Sequence, residues 1–528
     1  MSNKVKLTLQ ACLMAVLLSA CLLTACSGKT DKEADPDAGR PGNDVDVTAE
    51  DQGQQDDDAG KEEEKGEYTV QIHVSVNGDD KTGDGSKETP YATIATAVRQ
   101  IIPGTEVIVH EGEYEPFEMG AAASGTSNAP VCVRAEDGKV IIRTDDGKTD
   151  DKKSGRKKKK ESGDRIGIHM VNVAHITLEG FEVTGGTHGI YYEITRDQGE
   201  YALDGVTIRG CTVHGVRGTH GICVYARNDL APVTNLKMED CEVYDCECGD
   251  SESTVFNGNV DGFEICGNQI HDNNNIGIDM IGFEGTARHP KDYNPGGKKK
   301  ANRYEVDFVR NGKCHDNTVY NISAEGNEAY LEDGEYDLCA DGIYVDGGQD
   351  IEIYNNFIFN CDIGLEVATE HSPDDNELFK VSGVEVHDNV IADCTGWCGI
   401  CFGGYDKDLG FTENCIFRNN TLVDNDTQIG IQRSRDNRIV RNLMVGGTTA
   451  IEFNEDIRKK DRVNYFEDNA SQGYKEKHSW TGEYGRAFVD RETLLEDFKS
   501  RFDEIGSEFV PGEEATEIYN MWKKASLK

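Results

Sequence analysis

Ile353-Tyr354-Asn355-Asn356-Phe357-Ile358, Val386-His387-Asp388-Asn389-Val390-Ile391 and Phe417-Arg418-Asn419-Asn420-Thr421-Leu422 are one pattern repeated. An asparagine sits inside an alternating apolar stretch, with an apolar residue again two positions on. Outward from these three, the pattern continues in Cys314-His315-Asp316-Asn317 and Ile265-Cys266-Gly267-Asn268 upstream and in Val440-Arg441-Asn442 downstream. Earlier coils hold Phe181, Cys211 and Cys241 at the same place. Period-2 alternation marks strands, because successive side chains of a strand point to opposite faces. Irregular spacing around a fixed core pattern means coils of constant cross-section joined by loops of variable length. The sequence therefore predicts an all-β fold, a right-handed parallel β-helix. Its six successive asparagines, Asn268 to Asn442, predict amides bonded along the stack.

The chain has 528 residues, 58 Gly against 11 Pro, and a formal charge of -43. Such acidity argues against binding a nucleic-acid backbone, and it suits a solvated surface and hard cations such as calcium. At the N-terminus, Lys4 and Lys6 precede the apolar stretch Leu7 to Leu23 and then Leu23-Thr24-Ala25-Cys26. A charged head, an apolar stretch and small residues before the cut describe a signal peptide. The ending resembles a bacterial lipobox, which implies lipidation at Cys26 and residues 1–26 as a lipoprotein signal peptide; Leu18-Ser19-Ala20-Cys21 also fits. Residues 27–66 are acidic and almost free of apolar side chains, and read as a disordered tether. Residues 67–456 read as the β-helix and 457–528 as a C-terminal capping region, with Glu492 to Phe502 at helical spacing. The expected protein is an extracellular monomer, lipid-anchored at the bacterial cell surface. The run DDKKSGRKKKKESGD near 150–164 reads as a solvated loop.

The entry His73-Val74-Ser75-Val76-Asn77-Gly78-Asp79-Asp80, followed by Thr89-Pro90-Tyr91-Ala92-Thr93-Ile94, resembles that of secreted bacterial β-helix proteins, where a short helix caps the first coil. Thr89-Pro90 reads as its start and Pro103-Gly104 as its stop. Of 17 cysteines, three fall in the signal and lipobox. The other 14 recur at repeat positions, so stacked interior thiols are expected, with Cys361 and Cys394 open to either a core pair or a disulfide.

A second strand in each coil carries Gly-Ile or Gly-Leu: Gly277-Ile278-Asp279, Gly342-Ile343-Tyr344, Gly364-Leu365-Glu366. With Ile or Leu inward, the next residue faces out, which predicts Asp279, Tyr344 and Glu366 in one exposed column, Asp346 on the same face. Asp341, Glu284, Glu370 and His371 lie at the strand ends or in the loops that follow. The excursions Phe283–Arg303 and Ala324–Ala340 are expected to leave one side of the solenoid and build a cleft there. A stack of carboxylates repels itself unless a cation, a shared proton or a sugar uses it. Candidate catalytic residues are Asp279, Tyr344, Asp346, Glu366 and His371; candidate metal ligands are Asp279, Asp341, Glu366 and Glu370. Tyr191, Tyr225 and Tyr344 are candidate sugar platforms, and His188 and His220 read as structural neighbours.

The asparagine ladder resembles the turn of pectate-lyase-type β-helices. Asn275-Ile276-Gly277-Ile278-Asp279, with Gly342-Ile343-Tyr344-Val345-Asp346 one coil later, is similar to the site strands of polysaccharide lyase family nine, over roughly residues 70–455. That resemblance implies a calcium cofactor, an acidic polysaccharide partner and β-elimination, with Asp279 as a calcium ligand and Tyr344 where the family has its catalytic lysine. The family's aspartate pair is replaced by Asn275 and Ile276. Inverting hydrolysis by paired carboxylates, uronate epimerisation and a non-catalytic glycan-binding scaffold stay open as alternatives.

Overall fold

The computed structural model describes residues 68–136, 139–144, 163–295, 297, 301–404, 408–454, 457–458, 460, 463–472, 488–490 and 505–526. The signal and lipobox, the tether, most of the basic run and Glu492–Phe502 lie outside the described residues.

Strands of successive coils pair in parallel and in register into three long sheets, sheet 1 of 16 strands, sheet 2 of 13 and sheet 3 of 11, a right-handed parallel β-helix. Each coil runs from sheet 3 into sheet 1, turns into sheet 2 and returns to sheet 3, as in 278–281, 310–315, 318–322 and 341–346. The corners of sheets 1 and 2 come from left-handed residues five apart. Asn311, Asp316 and Asn321 take positive φ in one coil, Asp350, Asn355 and Asn360 in the next, then Gly383, Asp388 and Asp393. Asn and Asp reach this region more easily than other side-chain-bearing residues, and Gly without strain. The sequence therefore spells most corners in those three letters, with His175 and Arg441 the exceptions.

Just after the second corner stands the predicted ladder. Asn268 Nδ2 donates to Asn317 Oδ1, Asn317 to Asn356, and so on through Asn389, Asn420 and Asn442, each at 2.9 Å. It runs one step further, to Asn469. Every Nδ2 also reaches a backbone carbonyl of the preceding coil, as Asn317 Nδ2 does to Ile265 O at 3.0 Å. Inside, the rows Ile278–Ile343–Leu365–Ile400 and Val319–Ile358–Ile391–Leu422 are fully buried.

Four expectations are corrected. The capping helix α1 is Ile94–Val98 and begins after Thr93, whose Oγ1 accepts the Thr96 N–H at 3.2 Å. Thr89 bonds Asp84, and the Pro90 carbonyl accepts the Asp79 N–H at 3.1 Å, so that segment is drawn into a side turn. Strand pairing also continues past residue 456, through Tyr465–Glu467 and Asn469–Gln472. Helix α2, Glu513–Ser526, lies against the flank of sheet 2, where Tyr519 and Trp522 pack on Phe359. The pair that the sequence left open, Cys361 and Cys394, are buried thiols with no disulfide between them. Nor do the two excursions leave one corner: 282–309 leaves between sheets 3 and 1, and 323–340 between sheets 2 and 3. They flank sheet 3 from opposite edges.

Candidate active site

Seven strands of sheet 3 frame the site: β1 (His188–Ile194), β2 (His220–Ala226), β3 (Thr254–Gly258), β4 (Ile278–Ile281), β5 (Asp341–Asp346), β6 (Ile363–Ala368) and β7 (Cys398–Phe402). Their register sets one outward column, Tyr191–Cys223–Val255–Asp279–Tyr344–Glu366–Cys401. Asp279, Tyr344 and Glu366 thus stand on three successive coils, as the glycine motif indicated. The glycine before each inward residue allows the coils to pass closely: a Cβ on Gly342 would lie 2.7 Å from the Gly364 carbonyl oxygen.

The column is not exposed. Asp279, Asp341, Tyr344, Asp346 and Glu366 are all buried, with 2–8 % of their surface accessible. Loops at the sheet 3–sheet 1 edge roof it. Phe283, Phe308 and Phe379 cluster across two of these loops with Tyr304 and Leu378. Asn302 and Asn376 exchange side-chain amide bonds, and Arg433 ties Ser372 at 3.1 Å and Asp374 at 3.0 Å. Asp307, buried below, accepts the N–H groups of Gly285 and Ala287 and sets the first bend of the long loop. On the other edge Asn275 donates to Ser251 O at 3.0 Å and to Tyr330 Oη at 3.1 Å. The residue that replaces an acid of the lyase motif therefore anchors the second excursion.

Burial governs the electrostatics. It raises the pKa of Asp279, Asp341 and Asp346 well above the usual carboxylate range, and neighbouring carboxyls raise it further. Glu366 is pushed up to about 7 by burial and by Glu370, while a hydrogen bond with the Cys401 thiol pulls the other way. Glu252, which the sequence reading missed, is pushed up to about 8 by burial and then by Glu284 and Glu370. Its coil, Ser253-Thr254-Val255-Phe256, lacks the Gly-Ile motif that marked the others, so nothing in the repeat pointed to it. Tyr344 is held far above its ordinary value by burial and four carboxyls. At the rim stand the exposed Glu284 and Glu370 and the half-buried His371, whose Nε2 lies 3.5 Å from Glu284 Oε1. Desolvation and Glu284 raise Glu370, and His371 opposes them. Among the described residues, His371 is the one basic side chain named with the groups acting most strongly on these carboxyls.

Two carboxyl oxygens, Asp279 Oδ1 and Asp341 Oδ1, are buried without a hydrogen-bond partner. Both have the chemistry to hold a hard cation. No three acids of the column, however, bring ligand atoms within 4.8 Å of one another; among the described residues that convergence occurs at His188–His220–Cys223 and Glu264–Cys266–His315. The proposed sugar platforms are not open either. Tyr191 is sandwiched between His169 and His188 and bonded to Arg227, Tyr225 donates to His220, and Tyr344 is roofed.

With this geometry in place, known proteins give a frame. The uncharacterized protein YwoF of Bacillus subtilis (strain 168) is 32% identical over 408 residues, covering 76% of this chain and 79% of its own. The chain belongs to the YwoF family. Within this YwoF-family chain, residues 301–483 match the family model of the periplasmic copper-binding protein NosD. Solved structures similar in fold include XylC with xylose (12% identity, TM-score 0.45, 77% of this chain and 75% of that one). Pectate lyase Pel9A follows at 13% and 0.44, covering 69% and 78%. The GH136 lacto-N-biosidase of Eubacterium ramulus stands at 12% and 0.47, covering 77% and 67%.

Proposed function

We propose that the sheet 3 column is an acid–base centre that hydrolyses glycosidic bonds of a polysaccharide, with Glu366 as proton donor and Asp346 as the base that activates water. One observation carries this reading: a group of carboxyls is buried together with almost no basic partner, which raises their pKa values and makes neighbouring acids share protons, one protonated beside one ionised. A general acid needs that property, and its best pKa lies near the working pH. Asp346 accepts the backbone N–H of Glu370 at 3.2 Å, a bond that favours its ionised form. One coil and two residues separate Asp346 from Glu366, about 8 Å by strand spacing. An inverting pair spans about 6.5–9.5 Å so that water fits between. A uronate entering this site would find carboxyls and almost no basic side chain to pair with, which favours an uncharged glycan as substrate.

A second reading has its own observation. The unpartnered oxygens of Asp279 and Asp341 suit a calcium ion, with Glu366 and Glu370 as further ligands. Bound there, calcium would supply charge neutralisation to a uronate and open β-elimination. Tyr344 is then a poor base, because its phenolate would form among four carboxyls; it suits hydrogen bonding to the sugar instead.

Panels of neutral and uronic polysaccharides separate the readings. Hydrolysis predicts new reducing ends without an ultraviolet-absorbing unsaturated product, unaffected by chelator. Glu366→Gln and Asp346→Asn should each lower the rate by about 10²–10⁴. Calcium-dependent ultraviolet absorbance would instead establish elimination. No product on any substrate would sink both readings and leave a glycan-binding scaffold. The proposal places the protein outside the cell, held by a lipid on Cys26; fatty-acid labelling lost in Cys26→Ala tests that part.

A further inference from the structure

Strands β1 and β2, beyond the acid column, carry a group that glycan chemistry does not use. His188 and His220 pair in register, and Cys223 follows three residues after His220. Ligand atoms of all three side chains lie within 4.8 Å of one another, and the three residues are 7 %, 2 % and 0 % exposed.

The hydrogen bonds around the histidines fix their tautomers. His220 Nδ1 lies 2.9 Å from the backbone oxygen of Glu252, which can only accept. Its proton is therefore on Nδ1, and the Nε2 lone pair accepts from the Tyr225 hydroxyl at 3.0 Å, a bond that a metal ion would replace. Thr187 donates its hydroxyl to Arg165 O at 3.2 Å, so His188 Nδ1, 3.1 Å from Thr187 Oγ1, is the donor there. His188 Nε2 is thus also a lone pair. A second-ring N–H held by a carbonyl or hydroxyl is the usual support of a metal-bound histidine.

We propose that His188, His220 and Cys223 form a binding site for a soft d10 cation, Cu(I) or Zn(II). Two imidazoles and a thiolate suit such ions, whereas calcium and magnesium take oxygen. Binding forms a metal–sulfur bond and releases the Cys223 thiol proton to water. With Cu(I), one thiolate and two neutral rings leave the buried site uncharged, which avoids the cost of an isolated buried charge. With Zn(II), the Tyr225 hydroxyl stands beside His220 as a fourth donor. Ligand atoms around such an ion sit about 3.5–4 Å apart, given bonds of about 2.0–2.3 Å, so only a small closure is needed. None of the three residues falls within the span matched by the NosD model; the inference rests on their geometry.

Because the site is buried, the metal is supplied during folding. The full chain is unfolded under reducing conditions and refolded with Co(II), Zn(II) or Cu(I). Expected are a thiolate-to-cobalt charge-transfer absorbance and a higher melting temperature with Zn(II) or Cu(I) than in the metal-free chain. Cys223→Ser, nearly isosteric, should abolish the band. His188→Gln should weaken binding about 10-fold or more. Melting of the metal-free variants separates lost binding from lost folding. If Cys223→Ser does not fold, the affinities of His188→Gln and His220→Gln decide. A band that persists in Cys223→Ser, wild-type affinity in both histidine variants, or no band in the wild type overturns the proposal.

Discussion

At the scale of single residues, this chain buries polar side chains in two opposite ways. Asn317 is buried and fully engaged. It donates to Asn356 Oδ1 and Ile265 O, and its own Oδ1 accepts from Asn268 N and Nδ2. The carboxyls of sheet 3 are buried too, yet two of their oxygens bond nothing. A satisfied buried amide stabilises its stack, while an unsatisfied buried group costs about 1–3 kcal/mol. The ladder is therefore architecture, and the acid column is held in place by the rest of the fold. Asn317→Leu should strand the Asn268 amide and the Ile265 carbonyl at once, at a cost of about 2–5 kcal/mol. Denaturant titration measures it; a loss under about 0.5 kcal/mol, the scale of an ordinary surface substitution, would remove the ladder from the account of stability.

At the scale of elements, sheet 3 and its roof decide what the acids do. Glu366 and Glu252 have folded pKa values near 7 and 8 against an ordinary value of 4.5. Between these limits the folded chain binds more protons than the unfolded one. Stability contributed by these groups is complete below pH 4.5 and falls as pH rises through 7 to 8. The loss is on the order of 1–3 kcal/mol per carboxyl, shared among interacting groups. Melting curves from pH 5 to 8.5 should show that decline, and Glu252→Gln should flatten it; equal slopes for the two proteins would contradict the burial argument. The column itself was legible in the sequence, because a strand's period of two places Asp279, Tyr344 and Glu366 together once Ile278, Ile343 and Leu365 are inward. Its burial was not, because the roof is built from loop contacts between Phe283, Phe308 and Phe379, distant in sequence and without periodicity. Glu252 was missed for a related reason: it precedes a strand without the glycine motif. His188 and His220 were paired correctly, but the third member, Cys223, looked like one more interior thiol.

At the scale of the whole molecule, a solenoid has to manage its flanks and ends, where the repeat stops supplying partners. Along the outside of sheet 2 run His214, Tyr244, His271, Tyr320 and Phe359, stacked with centroids 4.7–5.1 Å apart. Helix α2 closes the late end of this stack. Phe509, Ile518, Tyr519 and Trp522 pack against Phe357, Phe359 and Ala392. Lys523 bonds Asp393 at 2.7 Å and Asp424 at 3.1 Å, and Tyr519 donates to Asp393 at 2.7 Å. Acids in its first turn and lysines in its last complement the helix dipole. The lead-in segment is tied down as well: Ser507 Oγ donates to Asp388 O at 2.6 Å and Gly506 N to Arg441 O at 2.9 Å. Ending the chain after Glu504 should uncover Phe357 and Phe359 and remove part of four large side chains from apolar contact, a loss of about 3–6 kcal/mol before the entropy regained by the freed segment. The shortened protein should melt earlier, bind a hydrophobic dye and self-associate through the bared aromatic edge. Any glycan activity should survive, since α2 packs on the flank of sheet 2 through Phe357, Phe359 and Ala392 while the acids stand on sheet 3. Unchanged melting and no dye binding would mean that sheet 2 is stable bare, and that α2 is an attachment to the solenoid and not its cover.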